Sequence, residues 1–147
     1  MRPITLFSLL TSLLFCAAAA RAAAPAANEP SAADRQEIRS VIERQLDAFQ
    51  RDDEVTAFSY ASPGIRAQFK TPANFMQMVR ASYQAVYRPR AVKFLEPAVI
   101  ECDIIQALQV VAPDGTVMVA LYTMQRQPDG LWRIAGCMLV PAIAKST

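Results

Sequence analysis

Histidine is absent from the 147 residues, and that absence removes much of the usual enzyme chemistry. Ser-His-Asp and Cys-His catalysis lose their general base, and metal sites that need imidazole lose their ligand. Cysteine is scarce, at three residues, of which Cys16 lies in the N-terminal apolar run and only Cys102 and Cys137 fall in the body of the chain. Glycine is scarcer still for this length, at four, so each one can be asked what it is for. Neither sign of charge dominates: 15 basic residues face 13 acidic ones, which leaves no electrostatic footprint for nucleic acid. A long apolar run occurs once, from Ile4 to Ala20, and is short for a membrane span of about 20 residues. What is present is an apolar content of 53%, enough for one core, in a chain whose length points to one domain.

The N-terminus explains the residual basicity. Met1-Arg2-Pro3, the apolar run and the small residues around Ala20-Arg21-Ala22 have the pattern of a secretory signal peptide, residues 1–22. Its loss takes away Arg2 and Arg21 and no acid, so the mature chain is neutral. The expectation is an exported protein, periplasmic or secreted, with no stable membrane anchor after cleavage. A flexible Ala- and Pro-rich leader over 23–33 then precedes a single domain over 34–143.

Two copies of the pattern x-P-D-G-x, at Ala112 to Thr116 and Gln127 to Leu131, organise the C-terminal third. Proline presets φ, aspartate caps the turn and glycine accepts the positive φ of a three-residue hairpin loop with a bulge. The result is a three-stranded antiparallel meander. Pairing Ala112 with Thr116 and Gln127 with Leu131 places Cys102 and Cys137 two strands apart, roughly 10 Å, and out of step by roughly 17 Å more. A disulfide needs Cα atoms within about 7 Å, so both are expected as buried free thiols.

Upstream the pattern is helical. Ile38, Val41, Ile42, Leu46 and Phe49 recur at helical spacing behind a cap at Asp34, or at Ser31 one turn earlier. Gln45 falls inside that apolar stripe, where a polar side chain must find a partner. Asp52-Asp53 ends the helix as a solvated junction and Glu54 starts a short second one, stopped by Ser62-Pro63-Gly64. A turn over Ile65 to Phe69 leads to Thr71-Pro72, a cap with proline at the first helical position. A third helix carries Phe75, Met78, Val79 and Tyr83, and a first strand runs from Arg90 to Leu95. Helices followed by strands predict an α+β fold with N-terminal helices packed on a curved antiparallel sheet.

The registers assign even-numbered strand residues to the face under the helices. One row there reads Gln106, Tyr122, Gly136, and Gln45 of the first helix points at it. The expected site is a small apolar cavity with Gln45, Gln106 and Tyr122 as orienting groups and Gly136 leaving room above the sheet. Arg88 and Arg90 are expected at its mouth as anion contacts. The plainer alternative is that Tyr122 fills the space and bonds to Gln106 or Gln45. On the odd face Ile105, Ala107, Val117, Val119, Leu121, Ala135, Cys137 and Leu139 are apolar, which predicts a homodimer through Val119, Leu121 and Cys137, beside a polar row of Asp103, Gln125 and Arg133. Coverage by the leader and the C-terminal tail is the competing account.

Gln45 to Phe49, the Ala61 to Arg66 segment and the closing Asp129-Gly130-Leu131-Trp132-Arg133-Ile134 resemble the cone-shaped α+β superfamily of nuclear transport factor 2. Within it, Ala61 to Phe69, Phe75-x-x-Met78-Val79, Tyr87-Arg88-Pro89-Arg90 and Gly136-Cys137 resemble an uncharacterised family of exported bacterial proteins, domain of unknown function 4864. The resemblance implies helices in the concavity of a curved sheet, often with a pocket there and a dimer through the outer face. It implies no activity. Relatives in that superfamily such as the ketosteroid isomerases use an acidic base and a tyrosine in the cone. Tyr122 could imitate the tyrosine, but the even face of the meander carries no acid. The expected role is therefore binding of a small, mostly apolar molecule or service as a dimeric interaction module, with no cofactor, no metal and no nucleic acid. A cofactor-independent isomerase, dehydratase or hydrolase of the cone type, and a purely structural envelope protein, are the alternatives.

Overall fold

The computed structural model describes residues 29–142. The signal peptide assigned to 1–22 and the leader through 28 lie outside them. Five helices come first, α1 (Ala32–Gln50), α2 (Glu54–Ser59), α3 (Pro63–Phe69), α4 (Pro72–Ser82) and α5 (Gln84–Tyr87). The strands β1 (Ala91–Phe94), β2 (Ala98–Ile100), β3 (Asp103–Val111), β4 (Val117–Arg126) and β5 (Trp132–Pro141) follow. The fold is α+β, helices then an open antiparallel sheet.

The start of α1 takes the earlier of its two candidate caps. Ser31 is the N-cap and Asp34 sits at the third helical position, closing a reciprocal capping box that satisfies two backbone donors at once. Its buried stripe includes Ile38, Ile42, Leu46 and Phe49, with Gln45 among them at 3% exposure. Each such apolar side chain contributes about 1.5–3 kcal/mol on burial. The segment after Ser62 is a helix rather than a turn. Ser62 caps α3 with proline just inside, the same Ser/Thr-Pro start that opens α4 at Thr71-Pro72.

Both x-P-D-G-x loops form as expected. Gly115 has φ +90° and Gly130 φ +83°, and the Asp114 and Asp129 carboxylates each accept from the backbone N–H two residues on, at 2.9 Å. Between β3 and β4 the register is the expected one, with Gln106 opposite Tyr122. Two irregularities change the faces elsewhere. The run from Ala98 is not one strand, because it reverses at Glu101, φ +57°, into a tight hairpin in which Ile100 pairs with Asp103. Cys102 is therefore exposed on a turn, not buried, though both thiols are free as expected. Between β4 and β5 a bulge intervenes: Met124 pairs with Ile134 but Thr123 pairs with Gly136, so Ala135 is the extra residue and every later side chain of β5 changes face.

Sheet order is β1-β3-β4-β5, with β2 also on β3, so β1 and β2 share one flank of β3 at its opposite ends. The helices cover one face only. On the free edge of β5, Ala61 makes a short parallel bridge to Ile134, through Ser62 N–H to Ile134 O at 2.8 Å and Ile134 N–H to Tyr60 O at 2.9 Å. That bridge fixes the root of α3 beside the bulge.

Candidate functional site

Between the helices and the covered sheet face lies a cavity of about 230 Å³, partly open to solvent. Gln45 and Phe49 of α1 form its back, Ile65, Gln68 and Phe69 of α3 one side, and Phe75, Met78 and Val79 of α4 another. Tyr122, Ile134 and Cys137 form its floor. The wall is held by aromatic packing, with the Phe75 ring 5.4 Å from Phe58, 5.7 Å from Phe69 and 6.1 Å from Phe49, separations at which rings attract. Tyr83 closes the edge by donating from its hydroxyl to Cys137 O at 3.1 Å. No aspartate, glutamate, lysine or arginine lines the cavity.

Tyr122 is the group that sets the chemistry. It is 1% exposed, and its hydroxyl has no hydrogen-bond partner among the described residues. An unpaired buried hydroxyl costs on the order of 1–3 kcal/mol. The hydroxyl lies beside the Cys137 thiol without meeting the geometry of a hydrogen bond to it. Burial raises the pKa of Tyr122 well above 10.0, with the Cys137 charge a smaller cause, and burial pushes the Cys137 thiol up to about 12. Both groups are protonated at neutral pH. A thiol so placed is not a nucleophile, and the phenol is a hydrogen-bond donor with nothing to donate to.

The expected site residues divide cleanly. Gln45 and Tyr122 meet in the cavity, but Gln45 donates to Ala57 O at 3.1 Å and not to Tyr122. That single bond leaves the amide with unused capacity. Gln106 is buried beside Tyr122 in the sheet but turns away, donating to Leu95 O at 2.7 Å and Ala107 O at 3.0 Å. It serves the break between β1 and β2 and does not line the cavity. Gly136 does not leave room over Tyr122, because the bulge sets it opposite Thr123 on the outer face. A Cβ there would meet the Thr123 side chain at 3.7 Å, and the residue lines the cavity only from its backbone. Cys137, expected on the outer face with Val119 and Leu121, takes the inner place opposite Tyr122 instead.

Arg88 and Arg90 are not at the mouth. Arg88 donates to Asp52 at 2.7 Å and to Phe49 O, with its guanidinium 4.1 Å over the Tyr87 ring. Arg80 reaches the same carboxylate at 3.0 Å and the Tyr87 hydroxyl donates to it as well. Asp52, read as a solvated junction, is thus the hub joining the end of α1 to α4 and α5. Arg90 lies beside the first tight turn near Gly115. The sequence signal for the bulge was a glycine inside a strand, which marks such irregularities; it gave no sign of where the faces would exchange.

Residues 31–147 match the family described as Domain of unknown function (DUF4864). The chain belongs to the DUF4864 family. No curated protein and no solved structure matches it. Within this DUF4864 domain, no three Cys, Asp or Glu side chains cluster as metal ligands among the described residues, and no described helix is long and apolar enough to cross a membrane.

Proposed function

We propose that this DUF4864 protein binds a small, uncharged, mostly apolar molecule in the cavity between α1, α3, α4 and the sheet, with the Tyr122 hydroxyl as donor to a carbonyl or ether oxygen. The observation that carries the reading is the buried, unpartnered hydroxyl of Tyr122, a residue in the floor of a cavity walled by apolar side chains. A charged ligand would enter with no counter-charge in the lining, which is costly. At about 230 Å³ the space is below the roughly 300–1,000 Å³ of drug-sized sites, so the occupant is small. The arrangement of helices on one sheet face supports assignment to the nuclear transport factor 2-like cone, and the pattern of residues 1–22 supports export to a periplasmic or secreted location. A cone-type isomerase has less support, because proton abstraction needs a base, the lining carries no carboxylate, and burial holds Tyr122 and Cys137 protonated.

The test begins with the intact mass of the protein taken gently from its own cells, which reports both removal of residues 1–22 and any retained small molecule. Acetophenone and ethylbenzene, near-isosteres that differ in a carbonyl, then probe the purified protein by titration. A hydrogen bond of about 0.5–1.5 kcal/mol predicts roughly a two- to tenfold preference for the ketone. Tyr122→Phe is expected to abolish that preference while leaving ethylbenzene binding intact. Equal affinity of wild type for the two probes, or no binding of either, refutes the reading.

A further inference from the structure

The sheet face turned away from the helices is apolar and is covered by nothing among the described residues. On it Met138 is 59% exposed, Ile100 58% and Val117 38%, and Ile105, Val119, Leu121 and Val140 are partly exposed. An area of this kind on a sheet marks an interaction surface. The registers arrange it in rows running β3, β4, β5. These read Ile105-Thr123-Gly136 and Ala107-Leu121-Met138, and continuing the β3–β4 register by one residue pair on the same face adds Asp103-Gln125-Arg133 before them. In these three rows the β3 and β5 residues are opposites, acid against base, bulky against glycine, small against long; the fourth row of the face, Gln109-Val119-Val140, lacks that complementarity. The bulge at Ala135 creates this relation, since it brings Gly136 and Met138 onto the outer face.

We propose that this face packs on the same face of a second copy of the chain, about a twofold axis running along β4. Such an axis lays β3 of one copy over β5 of the other at the same height along the strands. Asp103, Ile105 and Ala107 then meet Arg133, Gly136 and Met138 of the second copy, twice over, while Val119 and Leu121 meet their own equivalents at the axis. Facing sheets lie about 10 Å apart, a gap that an aspartate and an arginine together span. Neither residue has an ion pair among the described residues, and Arg133 commits one N–H, to Trp132 O at 3.0 Å. An axis across the strands would set β3 on β3 and bring neither charge near its opposite. The three strand positions that overlap about such an axis, each about 30 Å long, give a plan area of about 430 Å² before side-chain relief is added, against the roughly 800 Å² per partner of a standard interface. This pairing is independent of what fills the cavity.

Sedimentation velocity on the full chain over a concentration series tests it, with Asp103→Arg, Arg133→Asp and the two combined. Wild type is expected to dimerise. Each single reversal sets like charges together at two places and should weaken the dimer at least about tenfold, whereas the combined variant should return to within about threefold of wild type. Asp103→Asn, which removes attraction without adding repulsion, should fall between, and guards against a reversal that simply misfolds. Gly136→Leu, whose new side chain points outward past Thr123, should also weaken the dimer at unchanged circular dichroism. A monomeric wild type, as when the chain's own ends cover the face, overturns the proposal. So do single reversals without effect, or a combined variant as weak as its parents.

Discussion

At the start of α1 the Asp34 carboxylate accepts from the Ser31 hydroxyl at 2.7 Å and the Trp132 indole N–H at 3.2 Å, and lies 3.4 Å from Arg126. In the floor of the cavity the Tyr122 hydroxyl, more deeply buried, accepts and donates nothing among the described residues. The Asp52 hub repeats the first arrangement at the other end of α1, with Arg80, Arg88 and Tyr87 all on one carboxylate. Polar groups at the two ends of α1 are therefore committed to holding it, to the sheet at Asp34 and to α4 and α5 at Asp52, and the group between them is held in reserve. Buried polar atoms in folded proteins are nearly always paired, so the exception has more functional content than the rule.

If that contrast is real, the largest loss of stability comes from a corner. Trp132→Ala removes a buried indole, 6% exposed, together with its bond to Asp34, and is expected to cost about 3–5 kcal/mol in chemical unfolding. Trp132→Phe keeps most of the apolar volume and should cost about 1–2 kcal/mol, the share of the N–H bond. Were Trp132→Phe as damaging as Trp132→Ala, the corner would be a matter of hydrogen bonding alone.

The two cavity tyrosines sharpen the comparison at smaller magnitude and opposite sign. Tyr83→Phe deletes the bond to Cys137 O and should destabilise by about 0.5–1.5 kcal/mol. Tyr122→Phe deletes no bond and relieves an unpaired hydroxyl, so stability should hold or rise by up to about 1 kcal/mol. A Tyr122→Phe variant clearly less stable than wild type would mean that the hydroxyl has a structural partner, and the distinction between corner and cavity would fall.

Legibility in the sequence follows the same division. The doubled x-P-D-G-x turn placed β3 against β4 correctly because turn chemistry is local, and Gln45 announced itself as a polar residue in an apolar stripe that must be satisfied. The Ser62-Pro63 start of α3 carried the signal that was read correctly at Thr71-Pro72, but Gly64 just behind it spoke for a turn. Three positions were not readable. Glu101 adopts positive φ with no glycine to mark it, and the extra residue Ala135 exchanged Gly136 for Cys137 on the cavity floor. Asp52 found its partners 28 to 36 residues away. A period of two fixes the faces of a strand only until the first bulge, and long-range ion pairs have no local pattern at all.

The smallest effect is the one that separates charge from packing. Asp34 is held below the ordinary carboxylate value of 3.8, chiefly by the Ser31 hydroxyl, and Asp52 likewise, first by the Tyr87 hydroxyl and then by Arg80. A carboxyl with a lower value folded than unfolded stabilises the fold in its ionised form. Its contribution is complete above the unfolded value of about 3.9 and disappears as pH falls through the folded value. Asp52 is well solvated, so the contribution is modest. Asp52→Asn should therefore melt below wild type at neutral pH, and the two curves of melting temperature against pH should converge as acid protonates the native carboxylate. Tyr122 cannot titrate in that range, since its burial drives it the other way; Tyr122→Phe should run parallel to wild type at every acidic pH. Convergence for Asp52 and a constant offset for Tyr122 are what distinguish a charge that holds the fold together from a hydroxyl kept for something else. A persistent gap for Asp52→Asn in strong acid would make the hub a packing feature and erase that difference.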